Sequence, residues 1–258
     1  MNTPKVTQQI VEWLKDYLVQ TGIKGMVVGI SGGIDSAVVS TLCAETGKSV
    51  LCLEMPIHQA ANQVSRGRNH IAFLKNKYPN VSSLEVDLTP VFDTFVAQVP
   101  PAENNALALA NTRARLRMTT LYYFAGLQGY MVVGTGNKIE DFGVGFFTKY
   151  GDGGVDVSPI GDLYKSEVYE VGRYLGVLPE ILQAAPTDGL FGDDRTDEDQ
   201  LGATYDELEW AMRLVESGAE ETHLTPRQSQ VLAIFKRLNK ANQHKMIPIP
   251  VCRVKSEQ

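Results

Sequence analysis

The sequence lacks any long apolar run and contains only three cysteines. A membrane-spanning helix needs about 18 consecutive apolar residues, and no window of this chain approaches that length. The N-terminal segment is amphipathic and has neither the apolar centre nor the cleavage site of a signal peptide. Cys43, Cys52 and Cys252 lack metal-ligand spacing, and their odd number favours a reducing compartment. We therefore expect a cytoplasmic protein that does not span a membrane.

Positive charge is not in excess either. Lys and Arg total 24 against 30 Asp and Glu, so the formal net charge is −6. This charge argues against a protein that binds nucleic acid through many phosphate contacts. Apolar residues make up 43% of the chain and charged residues 21%, which is ordinary for a globular protein. Because no repeat, low-complexity tract or linker divides the chain, residues 1–258 are predicted to form one domain.

Short apolar runs alternate with stretches of helical periodicity. The runs at 26–30, 49–55 and 130–136 are too short for helices and predict buried parallel strands. Weaker strands are expected at 83–86 and within 151–159. The alternation predicts an α/β fold, in which a doubly wound, mainly parallel five-stranded sheet has helices on both faces. Ligands of such folds bind beyond the carboxyl ends of the strands.

The strongest motif is GISGGIDS at residues 29–36, which follows a predicted strand and precedes a predicted helix. Its glycines let the backbone approach an anion closely, and a helix N-terminus offers free N–H groups. Neither the Walker loop nor the dinucleotide fingerprint fits its spacing. Asp35 suits a phosphate only if a cation lies between them, which suggests a magnesium-bridged phosphate. The alternative is a strand-to-helix turn that Ser31 caps and that binds no ligand.

The SGGIDS pattern resembles the loop of the ATP pyrophosphatases, the PP-loop superfamily with an adenine nucleotide alpha hydrolase-like fold. Those enzymes cleave ATP between the α- and β-phosphates and adenylate their substrate. Four further parts of the chain resemble the NAD synthetase family within that superfamily, and they occur in the right order. They are NTRARLRM at 111–118, GTGNKIEDFGVGFFTKYGDGGVDVSPIGDLYKSEV at 134–168, APTDGL at 185–190 with TDEDQLG at 196–202, and HK at 244–245.

This resemblance implies a C–N bond-forming ligase that is an ammonia-dependent NAD synthetase. ATP would adenylate the nicotinate carboxylate of deamido-NAD, and ammonia would then displace AMP to give NAD. The resemblance also implies Mg²⁺ as cofactor and a homodimer. Two rival enzymes are one that amidates nicotinate mononucleotide by the same chemistry and a tRNA-modifying PP-loop ATPase. The acidic net charge and the positions of the cysteines argue against the second. A non-enzymatic rival is a nucleotide-binding sensor.

The resemblance also implies the roles of particular residues. Asp35 and Lys165 are expected to be catalytic, and Asp35 and Glu140 are expected to bind Mg²⁺. The expected ATP-binding residues are Gly29, Ile30, Ser31, Gly32, Gly33, Ile34, Asp35, Ser36, Thr135, Lys165 and Thr187. The expected deamido-NAD-binding residues are Arg115, Lys149, Asp156, His244 and Lys245. Lys165, Arg115 and Lys149 can neutralise the charge that develops on reacting phosphates and carboxylates.

Two assignments stay open. Many ammonia-dependent members of the family have four residues between the magnesium glutamate and the phenylalanine pair, whereas this chain has five, 141–145. Asp141 is therefore an alternative to Glu140 as the magnesium ligand. Arg113, Arg115 and Arg117 alternate along one helix and cannot all share a face. Arg115 is the expected ligand, and the other two are left open as surface charges.

The sequence also bears on the nitrogen source of the reaction and on how water is kept from the site. Cys43 and Cys52 are predicted to be buried, and no glutaminase domain is recognisable, so the nitrogen source is expected to be free ammonia or ammonia from a separate protein. The polar segment 188–199 borders Thr187 and has few apolar anchors. It predicts a lid that is mobile without substrates and ordered when they bind. The loop at 58–65 is the alternative lid.

Overall fold

The computed structural model of the protein describes residues 1–187 and 196–254. The strands are β1 (Gly25–Gly29), β2 (Ser49–Glu54), β3 (Val81–Glu85) and β4 (Met131–Val132). A π-helical segment spans Ile139–Val144. The α-helices are α1 (Thr3–Thr21), α2 (Ile34–Glu45), α3 (Ala61–Lys77), α4 (Thr89–Gln98), α5 (Ala106–Gln128), α6 (Lys165–Leu175), α7 (Pro179–Leu182), α8 (Asp197–Leu201), α9 (Tyr205–Ser217) and α10 (Pro226–Met246).

The strands form one parallel sheet in the order β3-β2-β1-β4. Val27 in the central strand pairs with Leu51 on one side and with Val132 on the other. The chain moves outward from β1 to β3 and then returns to place β4 on the opposite side of β1. The strand order therefore reverses between β1 and β4, and such a reversal opens a crevice at the carboxyl ends of the strands.

Helices cover both faces of the sheet, as the sequence predicts. Successive side chains of a strand point to opposite faces. Val28 and Cys52 accordingly pack in a core with α1, α2 and α6, whereas Val27 and Leu53 pack in a second core with α4 and α5. Since both faces of these strands are buried, their sequences are continuously apolar rather than alternating.

A third apolar cluster joins α8, α9 and α10 to the π-helical segment. Each of these helices begins with a capping box, in which a threonine hydroxyl and a side chain three residues later satisfy each other's backbone N–H groups. The three N-caps are Thr196, Thr204 and Thr225. The caps fix where the helices start and therefore which side chains of α9 face the π-helical segment.

The prediction of five strands is wrong by one among the described residues. Within 151–159 the structure has only a single bridge, Val133 to Val157. The Asp156 carboxylate accepts a hydrogen bond from the Val132 N–H at 2.7 Å. In a continuing sheet, a backbone carbonyl of the neighbouring strand would accept this hydrogen bond. The ladder therefore stops after one bridge, and β4 is only two residues long.

Two of the three cysteines lie in the core, as the sequence predicts. Cys43 and Cys52 are fully buried, and all three cysteines are free thiols. None of the helices within 1–187 and 196–254 has the length and hydrophobicity that crossing a membrane requires.

Candidate active site

A cavity of about 560 Å³ opens at the carboxyl ends of β1, β2 and β4. The segment after β1, the segment after β4 and the middle of α5 form its walls. A smaller cavity adjoins it at the N-terminus of α2, and Ser31, Asp152 and Thr187 line both. The site therefore lies at the reversal of strand order, where the sequence predicts it.

The loop at 29–36 has the shape of an anion cradle. Gly32 has a φ of +79°, and a Cβ there would lie 2.5 Å from the Gln63 carbonyl oxygen, so only glycine fits. Gly33 is the N-cap of α2. The hydroxyls of Ser31 and Ser36 bond to each other at 3.0 Å across the loop. The first N–H groups of α2 lack intrahelical acceptors, which makes this helix end suitable for a phosphate.

A buried lysine joins two carboxylates beside this loop. Lys165 Nζ lies 2.6 Å from Asp35 Oδ2 and 2.9 Å from Glu140 Oε1, although these residues are far apart in sequence. Asn137 orders the group, because its amide donates to Asp35 and its carbonyl oxygen accepts from the Glu140 N–H. The side chain of Lys165 is 4% exposed. The predicted catalytic and metal residues are thus brought together.

The three charges depend on one another. Burial opposes the charge of Lys165, but the attraction of Asp35 and Glu140 raises its pKa above the usual value. Burial also opposes ionisation of Glu140, but Lys165 and a hydrogen bond from Tyr205 lower the pKa of Glu140 below the usual value. For Asp35, burial outweighs the attraction of Lys165, and its pKa is raised. The two carboxylates therefore stabilise the charge of Lys165, and of the two Glu140 is the more readily ionised.

The additional residue after Glu140 is accommodated by the π-helix. Its backbone hydrogen bond from the Gly145 N–H to the Glu140 carbonyl spans five residues. A π-helical turn holds one residue more than an α-helical turn, and such turns are frequent at functional sites. Gly145 has a φ of +65°, and a Cβ there would lie 2.3 Å from Asn242 Cβ, so α10 packs directly on the end of the turn.

The π-helical turn directs Glu140 and Asp141 to different places. Glu140 faces Lys165, whereas the Asp141 carboxylate packs against the backbone of Gly136, where a Cβ would meet its oxygen at 2.0 Å. Burial and the charges of Glu140, Asp152 and Asp35 raise the pKa of Asp141 well above its usual value. Of the two open choices, Glu140 is the one that lies with Asp35.

The remaining predicted ATP residues line the cavities. Gly29, Ile30 and Ser31 lie at the end of β1. Thr135 follows β4, and Thr187 lies between the two cavities. Asp152, which the sequence indicates only as a turn residue, also faces both cavities. Burial raises the pKa of its carboxyl group to about 6, although hydrogen bonds from backbone N–H groups lower that pKa.

Four of the five predicted deamido-NAD residues lie close together. Arg115 donates to the Lys149 carbonyl oxygen at 3.3 Å, and Lys149 Nζ donates to the His244 carbonyl oxygen at 2.6 Å. Lys245 donates to Gly145 and Phe147 carbonyls and lines the larger cavity. Asp156 lies apart, since its carboxylate accepts from the Tyr122 hydroxyl and the Val132 N–H.

Sequence reasoning missed two residues of this site. Arg117 donates to the Met55 carbonyl at 3.0 Å and to Gln59 at 2.8 Å, and it lines the larger cavity. The sequence signal for Arg117 is weak. Arg113 and Arg117 are four residues apart and share a helix face, whereas Arg115 lies on another face. Tyr205 donates to Glu140 Oε1 at 2.6 Å. A tyrosine at the start of an apolar helix resembles an ordinary core residue in sequence.

The predicted lid falls mostly on residues 188–195, which lie outside the described residues. The remainder, 196–199, forms the capping box and first turn of α8. Asp197 there is 6% exposed, and its N–H donates to the Pro186 carbonyl at 3.1 Å. Residues 196–199 are therefore part of a helix, and the lid at 188–195 stays a prediction.

Residues 6–248 match the protein family described as NAD synthase. An NH3-dependent NAD+ synthetase from Carboxydothermus hydrogenoformans is 37% identical over 249 residues, which cover 95% of this chain and 96% of that protein. The structure of NMN synthetase from Francisella tularensis is 30% identical with a TM-score of 0.86, covering 98% of this chain and 100% of that one. The NH3-dependent NAD synthetase structure from Campylobacter jejuni is 28% identical with a TM-score of 0.80, and the coverage is again 98% and 100%. The chain belongs to the NAD synthase family.

Proposed function

We propose that this chain catalyses the ATP-dependent amidation of deamido-NAD by ammonia, which yields NAD, AMP and pyrophosphate. The reaction forms a C–N bond, so the chain is a ligase. One structural observation supports this reaction independently of the family match. Lys165 is held between Asp35 and Glu140 at the mouth of the loop that precedes α2. A cation and two carboxylates beside this loop support a site for the phosphates of ATP and a metal ion.

The donor set fits Mg²⁺. This ion is usually bound by one or two carboxylates together with substrate phosphates, and it keeps several waters. Asp35 and Glu140 supply the two carboxylates, and the loop at 29–36 supplies the phosphate site. When bound, Mg²⁺ would stabilise the negative charge that develops on the leaving pyrophosphate.

The residues of the chain act mainly by positioning and charge. The N–H groups at the start of α2 hold phosphate oxygens, and Lys165 neutralises charge as the carboxylate of the substrate attacks the α-phosphorus. Pyrophosphate leaves in that step. Ammonia then attacks the acyl carbon, loses a proton, and expels AMP. A protein nucleophile is not needed for either step.

The basic residues around α10 support a substrate with phosphates of its own. Lys245 lines the larger cavity, its neighbour His244 accepts a hydrogen bond from Lys149, and Lys149 in turn accepts one from Arg115. Such cations suit the pyrophosphate of a dinucleotide. Deamido-NAD is chosen over nicotinate mononucleotide because sequence relatives at 36–39% identity are described as NH3-dependent NAD+ synthetases. Nicotinate mononucleotide is the alternative, because the Francisella NMN synthetase has the higher TM-score of the two structures compared.

Free ammonia, or ammonia from a separate protein, is the proposed nitrogen source. Cys43 and Cys52 lie in the core, and burial raises the pKa of both thiols, that of Cys52 to about 12. A thiol with so high a pKa is not a nucleophile at neutral pH. Neither residue can therefore serve as the cysteine of a glutaminase.

A homodimer is part of the proposal. Tyr123 and Leu127 lie one turn apart on α5, and they are 65% and 67% exposed. Ile249 and Val251, after α10, are each 66% exposed. Large apolar side chains exposed at the surface favour a protein interface. In sedimentation velocity, we expect a dimer for the wild type and a monomer for Leu127→Asp. Val19→Asp, on the opposite side of the sheet, is the control and should stay dimeric.

The deciding experiment is a product assay on the purified chain with ATP, Mg²⁺, ammonium and deamido-NAD. We expect AMP and NAD in equal amounts, with no product when any one component is omitted. Glutamine in place of ammonium should give no NAD. A higher kcat/KM for nicotinate mononucleotide than for deamido-NAD would assign the substrate differently, and AMP formation without either substrate would remove the ligase assignment.

A further inference from the structure

We propose that the Tyr205 hydroxyl is a positioning group that holds Glu140 ready for the metal ion. The inference rests on the proposed function, because it assumes that Glu140 binds Mg²⁺. It concerns a residue of α9 that contacts the metal carboxylate and is predicted to touch neither ATP nor deamido-NAD. Tyr205 would act only through Glu140.

The contact is short and buried. The Tyr205 hydroxyl donates to Glu140 Oε1 at 2.6 Å, and Lys165 Nζ lies 2.9 Å from the same oxygen. Tyr205 is 5% exposed. A hydrogen bond from a neutral donor to a buried carboxylate is among the stronger ones, since the acceptor is ionised and water competes little.

The Lys165 ammonium cannot contact both carboxylates and the ATP phosphates at the same time. In the ligand-free chain this ammonium contacts both Asp35 and Glu140. A divalent cation placed between these carboxylates would repel the ammonium, and the proposed reaction requires that ammonium at the phosphates. Glu140 then loses one of the two donors to Oε1. Tyr205 is the donor that does not have to move.

The position of Tyr205 is itself firmly set. It is the first residue of α9, and the capping box of Thr204 and Glu207 fixes this helix end. Its N–H donates to Glu198 Oε1 at 2.9 Å, which ties it to α8. Its ring lies under Lys165, whose Nζ is 4.8 Å from the ring centroid. A nearby second acceptor, Asp197 Oδ2, is farther from the hydroxyl, at 3.4 Å.

The test is Tyr205→Phe, which keeps the ring and removes the hydroxyl. Tyr164→Phe is a matched control, because Tyr164 is 6% exposed, donates to Glu216 at 2.9 Å and has Lys138 Nζ 4.8 Å from its ring centroid. Binding of Mn²⁺ in the presence of α,β-methylene-ATP, read by electron paramagnetic resonance, measures the metal site without turnover. Circular dichroism and thermal melting verify the fold.

We expect Tyr205→Phe to weaken Mn²⁺ binding about 10- to 100-fold, the usual effect of removing a partner of a metal ligand. The Tyr164→Phe control should bind as the wild type does. In steady state, the Mg²⁺ concentration for half-maximal rate should rise, and saturating Mg²⁺ should restore most of kcat. In a Glu140→Gln background, Tyr205→Phe should cause no further loss of Mn²⁺ affinity, because both changes remove the same interaction.

Wild-type Mn²⁺ affinity in folded Tyr205→Phe overturns the inference and leaves the proposed function intact. Failure of the wild type to bind Mn²⁺ with the analogue overturns the proposed metal site and this inference with it. If Tyr205→Phe does not fold, Tyr205→His replaces it, since the ring N–H can still donate. Retained Mn²⁺ binding in Tyr205→His supports the inference, and loss of binding as complete as in Glu140→Gln contradicts it.

Discussion

Glu140 and Asp141 are adjacent in sequence, yet their carboxylates belong to different surroundings. Glu140 accepts from Lys165 and Tyr205, whereas Asp141 packs against Gly136. Both lie in the π-helical turn, and consecutive side chains of any helix leave it in different directions. The pair therefore offers a direct comparison between two isosteric substitutions, one residue apart.

Glu140→Gln should lower kcat by orders of magnitude, whereas Asp141→Asn should leave it within a few-fold of the wild type. Glu140 faces the proposed metal site, and its loss removes a metal ligand. Asp141 packs against Gly136 rather than Lys165, and its pKa is raised by burial, so its amide replacement removes no proposed metal ligand. Steady-state kinetics at saturating Mg²⁺ measure both. Equal loss in the two variants would mean that Asp141 shares the metal.

Asp35→Asn should fold normally and lose turnover by orders of magnitude. The substitution keeps the shape of the side chain and the contact with Asn137 but removes a charge beside Lys165. A metal ion contributes several kcal/mol of charge stabilisation, which is lost with its ligand. Asp162→Asn is the control, since this carboxylate is 99% exposed and pairs only with Lys138 at 3.6 Å. Near-normal turnover of folded Asp35→Asn would end its assignment as a magnesium ligand.

Acid should destabilise the fold through His70. This ring is fully buried, its Nε2 lies 2.9 Å from Ser40 Oγ, and burial lowers its pKa from 6.5 to about 4. Between those values the unfolded chain binds a proton that the folded chain does not, so stability falls as pH decreases through this window. At 1.36 kcal/mol per pKa unit, the loss is about 3 kcal/mol by pH 4.

Urea unfolding at several pH values checks this prediction. In His70→Asn, the slope of the unfolding free energy against pH should decrease by the equivalent of about one bound proton. His223→Asn, at an exposed histidine, should keep the slope of the wild type. An unchanged slope in His70→Asn would show that other groups account for the loss of stability in acid.

The segment 188–195 should exchange its amide hydrogens quickly in the ligand-free chain and slowly with ATP and deamido-NAD bound. Its composition provides few apolar anchors, and it lies between Thr187 and the capped helix α8. Hydrogen exchange read by mass spectrometry measures this, with peptides from β1 as the protected reference. Slow exchange without ligands would make the segment structural, and the loop at 58–65 would then be the candidate lid.

Much of the fold could be predicted because its signals are local. The apolar runs gave β1 and β2 within a residue or two, and the helices between them followed from periodicity. Helix α4 was not predicted, because only Phe92 is buried and several other apolar side chains are exposed. The fifth strand failed for a different reason, since the carboxylate of Asp156 ends the ladder after one bridge.

Prediction of the site was limited by contacts between distant segments. The motif placed Asp35 at a phosphate loop, but the convergence of Lys165 and Glu140 on it depends on how α6 and the π-helical segment pack. The additional residue after Glu140 was visible in sequence. Whether it forms a loop or a π-helical turn depends on the packing of Gly145 against Asn242 of α10. Tyr205 shows the same limit, because nothing local to it indicates Glu140.

The position of Lys165 allows the chain to fold without the metal ion that the proposed reaction needs. Two buried carboxylates that repel each other would ordinarily make a protein depend on its metal for stability. Here an ammonium from the chain itself balances Asp35 and Glu140. A chelator should therefore stop the reaction without unfolding the enzyme, and added magnesium should restore activity at once, with no refolding delay. If the proposed magnesium site is correct, a change in magnesium supply would alter the rate of the reaction and leave the fold intact.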